Sequence, residues 1–263
     1  MKIFNFFKMC AQPIEGSDDS KAITQPENTK INQTADSNPT GNDNMKDDDK
    51  VKVHNLIILD ESGSMMSIYY PALSGVNETL QTIRGAQKEH PDQEHFVTLV
   101  TFDTSHYNKI YHNTPAAKAI DITGEQYRPC GGTPLYDAMG RSINELRTIV
   151  KKGDVVLVTV ITDGYENASQ EYNGKAIKSL VEEMRKAGWV FTYIGANQDV
   201  EAVADAMSIN NRMAFAASAA GTKAMFEKER MSRKRFFSKI SKDSISPDLE
   251  KGYFDSEDEF PPY

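Results

Sequence analysis

Residues 56–64 read Leu56-Ile57-Ile58-Leu59-Asp60-Glu61-Ser62-Gly63-Ser64. The apolar half extends back to Val53. It reads as a central parallel strand covered on both faces, because such a strand loses the polar alternation of a half-exposed one. The polar half puts a carboxylate and two hydroxyls, two residues apart, at the strand's exit. Oxygen donors of this kind suit a hard cation. An Asp-x-Ser-x-Ser pattern also suits a helix N-cap, so the stretch needs support from elsewhere. Gly131-Gly132-Thr133-Pro134 and Thr162-Asp163-Gly164 supply a further hydroxyl and a further carboxylate.

Outward from this stretch, strands and helices alternate. Pro71 suits a first helical turn, and Leu73, Val76, Leu80 and Ile83 follow at spacings of three and four, ending near residues 85–90. His95 to Phe102 reads as a second strand, and Tyr107 to His112 as a short partner folded back on it around Asp103-Thr104-Ser105. Residues 116–128 predict a short helix or loop. Leu135, Met139, Ile143, Leu146 and Ile149/Val150 trace one helix face, with Gly153 as its expected cap. Asp154 to Asp163 is a second buried strand that again ends in Asp. A helix carrying Ile177, Leu180, Val181 and Met184 stops at Gly188. Trp189 to Ile194 is a strand, Asp199 to Met207 a short helix, Asn211 to Ala216 an edge strand and Gly221 to Phe237 a last helix. The expected fold class is α/β: a doubly wound, mostly parallel sheet flanked by helices, with one short antiparallel edge strand. Ligands of such sheets bind at the carboxyl ends of the strands. Topology therefore brings Asp60, Thr133 and Asp163 to one edge.

Asp60, Ser62, Ser64, Thr133 and Asp163 then offer five side-chain oxygens with two formal charges. Mg²⁺ takes six oxygens in a tight octahedron. Three neutral hydroxyls leave the ion electrophilic and one position open, which suits a carboxylate from a partner protein. Gly63 relieves crowding between the serines, and Gly131 and Gly132 let the backbone come close before Thr133 is presented.

The chain resembles a von Willebrand factor type A (VWA) domain over about Val53 to Phe226. Asp60-Glu61-Ser62-Gly63-Ser64-Met65, Thr133 in Gly-Gly-Thr-Pro-Leu and Asp163 in Ile-Thr-Asp-Gly match that family's metal-ion-dependent adhesion site. Asp-Glu-Ser-Gly-Ser-Met and Gly-Gly-Thr-Pro-Leu-Tyr-Asp look like its bacterial and phage branch. The resemblance implies a VWA/Rossmann-like sheet, Mg²⁺ (or Mn²⁺) binding, and protein–protein interaction without catalysis.

The remaining residues bound this reading. The 263-residue chain has a net charge of −8, which argues against nonspecific nucleic-acid binding. Residues 1–50 are polar and acidic with few apolar side chains after residue 10, and are expected to form a disordered arm. Residues 51–227 are expected to be the domain. Residues 228–263 are read as a basic helix end, with seven Lys/Arg from Lys228 to Lys242, followed by a flexible acidic tail with seven Asp/Glu in the last twenty-one residues. Two cysteines, Cys10 and Cys130, suggest no structural disulfide. The apolar run at the N-terminus is broken by Asn5 and Lys8 and is short for a secretory signal. No stretch is long enough to span a bilayer. The expected location is cytoplasmic, with export or membrane attachment through the arm as the lesser alternative.

Other side chains have plainer expectations. The five histidines lack metal-ligand spacing and read as structural or surface groups. Cys130 reads as a small buried apolar residue, Tyr165 and Glu166 as rim residues tuning partner choice, and Asp137 as a carboxylate favouring a helix dipole. Two competing functions remain. One is a metal-dependent hydrolase or phosphotransferase, although a second acid two residues after Asp60 is missing (Ser62 stands there) and neither a Walker lysine nor a Gly-x-Ser-x-Gly elbow is present. The other is an adaptor autoregulated by Asp255, Glu257, Asp258 or Glu259 of its own tail.

Overall fold

The computed structural model describes residues 50–240 and 249–254. The expected N-terminal arm, and the acidic residues 255–259 of the tail, lie outside these residues. Six strands form one sheet in the order β3-β2-β1-β4-β5-β6. They are β1 (Val51–Asp60), β2 (Gln93–Phe102), β3 (Tyr107–Pro115), β4 (Val155–Thr162), β5 (Val190–Gly195) and β6 (Asn211–Ala214). Only β2 and β3 pair antiparallel; the other four pairings are parallel. The expected fold class therefore holds. The antiparallel edge strand is longer than expected, nine residues, and its register shifts opposite Val97–Val100. There Asn113 takes a positive φ of 44° and donates its backbone N–H to Thr98 Oγ1 at 2.9 Å.

The helices are α1 (Tyr69–Glu89), α2 (Leu135–Leu146), α3 (Gly174–Lys186), α4 (Val200–Ala206) and α5 (Ala219–Ser238). Successive residues of a strand point to opposite faces, and both faces of β1 are dry. Val53, Ile57 and Leu59 join one core with Val76, Leu80 and Ile83 of α1 and Phe226, Phe236 and Phe237 of α5. Leu56 and Ile58 join the other core with Met139 and Ile143 of α2, Ile177 and Val181 of α3, and Ala204 of α4. This two-sided burial is why Leu56–Leu59 reads as an unbroken apolar run. Close approach of α1 and α5 depends on Gly75, where a Cβ would lie 1.9 Å from the Phe226 ring. The loop of residues 116–122, with a 3-10 turn at Ala116–Lys118, is tied to α1. Asn77 exchanges two hydrogen bonds with Ile122, and Arg84 donates to the Ala119 carbonyl.

Two boundaries and one cysteine differ from expectation. α2 stops at Leu146, and Gly153 (φ 100°) serves the turn into β4 instead of capping the helix. The domain does not end at residue 227. α5 runs on to Ser238, and Phe236, Phe237, Ile240, Leu249, Tyr253 and Phe254 belong to the first core. The basic helix end is thus part of the fold: its apolar stripe and Arg233 are buried, while Arg230, Lys234 and Arg235 are half-buried and Lys228 and Lys239 exposed. Finally, Cys130 is half-buried and carries no free thiol, so the expectation of two unbridged cysteines fails there; Cys10 lies outside the described residues.

Candidate metal centre

β1 is followed by β2 on one side of the sheet and flanked by β4 on the other. The gap outside the carboxyl ends of β1 and β4 is therefore the sheet's switch point, where ligands of doubly wound sheets sit. Asp60 ends β1, and Asp163 directly follows β4. Both are buried, with 0 % and 1 % exposure.

The five expected side chains are brought together. Asp60 Oδ1 accepts from the Ser62 N–H at 2.7 Å, which folds the exit turn back on the strand end. Ser62 Oγ and Ser64 Oγ are 3.1 Å apart, and Ser64 Oγ donates to Asp163 Oδ1 at 2.5 Å. Thr133 is 2 % exposed. A Cβ placed on Gly164 would lie 3.6 Å from Ser64 Oγ and 3.8 Å from Thr133 Oγ1, so both hydroxyls border the space this glycine leaves free. Asp163 Oδ2 is buried and has no hydrogen-bond partner.

The loops that carry these groups are stitched by backbone. Gly63 N–H donates to the Gly131 carbonyl at 3.0 Å and Cys130 N–H to the Glu61 carbonyl at 2.8 Å. Glu61 accepts from the Arg128 N–H. Gly131 is held at φ 67°, and a Cβ there would meet Thr104 Oγ1 at 2.3 Å. The glycine pair thus serves close packing of its loop on the β2–β3 turn, where the Gly132 N–H donates to that same Thr104 hydroxyl.

Around the five stand side chains that the sequence does not single out, Thr162, Tyr127 and Asn167, and two, Glu166 and Asp137, whose roles differ from expectation. Thr162 Oγ1 donates to Asp60 Oδ2 at 2.6 Å, so both oxygens of Asp60 are engaged. Tyr127 is fully buried and donates to the Asp60 carbonyl at 3.0 Å. Asn167 Oδ1 accepts from the Thr133 N–H at 2.9 Å, and its own N–H donates to the Thr133 carbonyl at 3.1 Å. Glu166 turns inwards instead of lining the rim. Its carboxylate accepts from the N–H groups of Tyr136, Ala168 and Ser169 and from the Ser169 hydroxyl. Asp137 does more than face a helix dipole: it accepts from the N–H groups of Gln170, Glu171 and Tyr172 at 2.8–2.9 Å. These two carboxylates clamp the loop after Asp163 to the helix after Thr133, from both sides. An Asp or Glu one turn into a helix, with another in a polar loop, was the signal, but nothing in it names the partner.

Electrostatics single out the strand ends. Burial pushes Asp60 up to about 6, against the hydrogen bonds from Thr162 and Ser62 and with help from the charge of Asp163. Burial likewise raises Asp163, against the Ser64 hydrogen bond. Two buried carboxylates without a countercharge favour a cation. Among the described residues, no group of three or more His, Cys, Asp or Glu side chains is placed to hold a metal. The donors here are two carboxylates and three hydroxyls, a set for a hard ion. The orphaned Asp163 Oδ2 and the Ser64 and Thr133 hydroxyls beside Gly164 fit such an ion.

Comparison with known proteins gives the fold and little more. No family model matches the chain, and no curated protein matches it by sequence. Solved structures do match. The vWF domain of the type V pili tip protein Mfa5 from Porphyromonas gingivalis superposes with a TM-score of 0.51 at 10 % identity, over 73 % of this chain and 98 % of that one. The fold is VWA-like. A mutant of the PilB minor pilin from Streptococcus sanguinis gives a TM-score of 0.51 at 12 % identity, over 73 % of this chain and 64 % of that one. The pilus adhesin SpaC from Lactobacillus rhamnosus GG gives 0.50 at 14 % identity, over 69 % of this chain but 30 % of that one. The chain therefore spans less than two thirds of the pilin and under a third of the adhesin.

Proposed function

We propose that this protein is a metal-dependent protein–protein interaction module. Asp60, Ser62, Ser64, Thr133 and Asp163 hold Mg²⁺, with Mn²⁺ as the alternative ion, and the partner is a protein that supplies an Asp or Glu carboxylate. The bound ion would supply an electrophilic position that a carboxylate can fill. The chain's own contribution is placement. Asp60 is fixed by Ser62 and Thr162, and Thr133 is held by Asn167. Glu166 and Asp137 keep the two loops in register. The observation that carries the reading is the orphaned Oδ2 of buried Asp163 beside three convergent hydroxyls. A buried acceptor without a donor is costly in a finished protein, and a cation removes that cost.

The hydrolase alternative draws less support. Both oxygens of Asp60 accept hydrogen bonds from the chain, which lowers their nucleophilicity while leaving lone pairs to face an ion. Among the described residues no histidine is hydrogen-bonded to Ser62 or Ser64. The acidic tail of the autoregulated alternative lies outside the described residues. Among those residues no helix is long and apolar enough to cross a membrane; a cytoplasmic location is part of the proposal, not of the geometry.

Calorimetric titration of the full chain with Mg²⁺ tests the reading. Saturable binding is expected, abolished by Asp163→Ala. Absence of binding at millimolar Mg²⁺ would sink it, as would partner binding that survives EDTA.

A further inference from the structure

Among the described residues five large apolar side chains are exposed, and three of them stand at the metal edge. Met66 is 58 % exposed, Tyr70 80 % and Tyr165 52 %. Met66 lies in the 3-10 turn Gly63–Ile68 that directly follows Ser62, two residues after Ser64. Tyr70 is four residues further, in the first turn of α1. It packs edge-on against Tyr69, with ring centroids 5.0 Å apart, and Tyr69 stacks on Tyr127, which holds the Asp60 carbonyl. Tyr165 follows Asp163 by two residues on the other strand exit. Its hydroxyl accepts from the Asp199 N–H at 2.9 Å, so its ring is tethered while half its surface stays in water. The candidate ion site therefore has apolar groups on both strand exits; Tyr70 is tied through Tyr69 and Tyr127 to the Asp60 carbonyl, and Tyr165 to the start of α4.

The charge of this edge is the second observation. The loops 61–70, 103–106, 128–134, 163–173 and 196–199 hold six Asp/Glu and one Lys/Arg, Arg128. Such an edge repels acidic surfaces. A partner carboxylate is welcome at the ion alone, and every additional acid beside it meets like charge. Basic residues on the partner are attracted by the same charge but find few free carboxylate oxygens to pair with. Glu61, Asp103 and Glu166 are already committed to backbone N–H groups, and Glu171 to Arg141.

We infer that the rim selects a protein segment in which one Asp or Glu is flanked by apolar or aromatic residues, with Met66, Tyr70 and Tyr165 as the contacts that confer the preference. Exposed tyrosines offer large amphipathic contact area at low entropic cost, and methionine adapts to irregular partners. This rests on the metal-dependent reading above and adds the partner's flanking chemistry to it.

The test uses the full chain, immobilised in Mg²⁺ buffer and offered a random displayed peptide library, with bound phage eluted by EDTA. The eluted pool is expected to carry single acids between apolar residues. Synthetic peptides from that pool should bind Tyr70→Ser and Met66→Ser about tenfold more weakly than the parent, the scale of a hot-spot truncation. Both variants should bind Mg²⁺ with parental affinity by calorimetry, since neither residue is a ligand. A pool dominated by acidic runs or basic flanks overturns the inference. So do rim variants that bind the selected peptides as tightly as the parent while Mg²⁺ binding is intact; the metal reading then stands alone. If Mg²⁺ does not bind the parent, or EDTA elutes nothing, the metal reading fails and takes this inference with it.

Discussion

Arg233 and Asp163 are both buried charges set against the central strands, one beneath α5 and the other at the strand exits, and they differ in what faces them. Arg233 is answered from within the chain. Its guanidinium reaches Glu229 at 2.7 Å, Asn55 Oδ1 at 3.0 Å and Thr159 Oγ1 at 2.8 Å, and Tyr253 donates to the same Glu229 oxygen at 3.1 Å. Burial works against its charge, but Glu229 more than restores it, and the pKa stays raised. Asp163 has the Ser64 hydroxyl on one oxygen, nothing on the other, and a second buried carboxylate nearby. The first cluster has its charges paired, although Glu229 Oε2 is also buried without a hydrogen-bond partner, and it fixes the last helix to the sheet. The second is open and calls for a charge from outside. A buried ionic group is thus read for function not by its burial but by whether the chain supplies its counterpart.

The largest effect should come from opening the closed cluster. Arg233→Ala leaves Glu229 buried and unpaired and is expected to cost about 3–5 kcal/mol in urea denaturation. Arg233→Met combined with Glu229→Leu should recover roughly half of that loss or more; a double variant as unstable as the single would show that the ion pair is not what matters. Closing the open cluster comes next. Mg²⁺ at about a hundred times its dissociation constant should add about 2.7 kcal/mol to unfolding stability. Asp163→Asn should erase that gain while leaving the metal-free protein as stable as the parent or slightly more so, because it removes an unanswered charge. A metal-free Asp163→Asn protein markedly weaker than the parent would break the comparison.

His95 adds a pH signature to the closed side. Burial, with His90 and Arg233 nearby, pushes it from its ordinary 6.5 down to about 3. The unfolded chain then takes up a proton that the folded one refuses, so stability falls as pH drops from 6.5 towards 3, by at most about 1.4 kcal/mol per unit. Asp60, raised to about 6, acts in the opposite sense in metal-free protein. The difference between the parent and His95→Gln isolates the histidine, and parallel pH profiles of the two would contradict its assignment. The smallest effect belongs to the loop clamp. Glu166→Gln keeps the fold but loosens the loop after Asp163, and Mg²⁺ affinity should fall by about tenfold, the lower end for an outer-shell partner. Unchanged affinity in titration would mean that Thr133 and Asp163 hold their places without it.

Much of this organisation can be read in the chain. Leu56–Leu59 and Val155–Ile161 announce buried parallel strands because both of their faces are dry, and the oxygen donors sit where those strands end. Contacts across the sequence are a different matter. Seven Lys/Arg between Lys228 and Lys242 look like a solvated face. Glu229 four residues before Arg233 is the one local hint that a pair goes inside, and it does not show that Tyr253 and Asn55 will meet it. Thr162 stands in the Thr-Asp-Gly fragment with no role of its own legible there, and Tyr127 carries no motif at all; their roles come from lying next to Asp60 across 102 and 67 residues of chain.

The sequence by itself determined the alternation of strands and helices and the five oxygen donors, because periodicity and strand ends are local properties of the chain. Tertiary structure alone decided which charges are answered: Arg233 by Glu229, and Glu166 and Asp137 by the loops they clamp. It also left Asp163 with one oxygen unmatched. Pairing of that kind depends on distance in space and on the exclusion of water, and neither is written in the order of the residues.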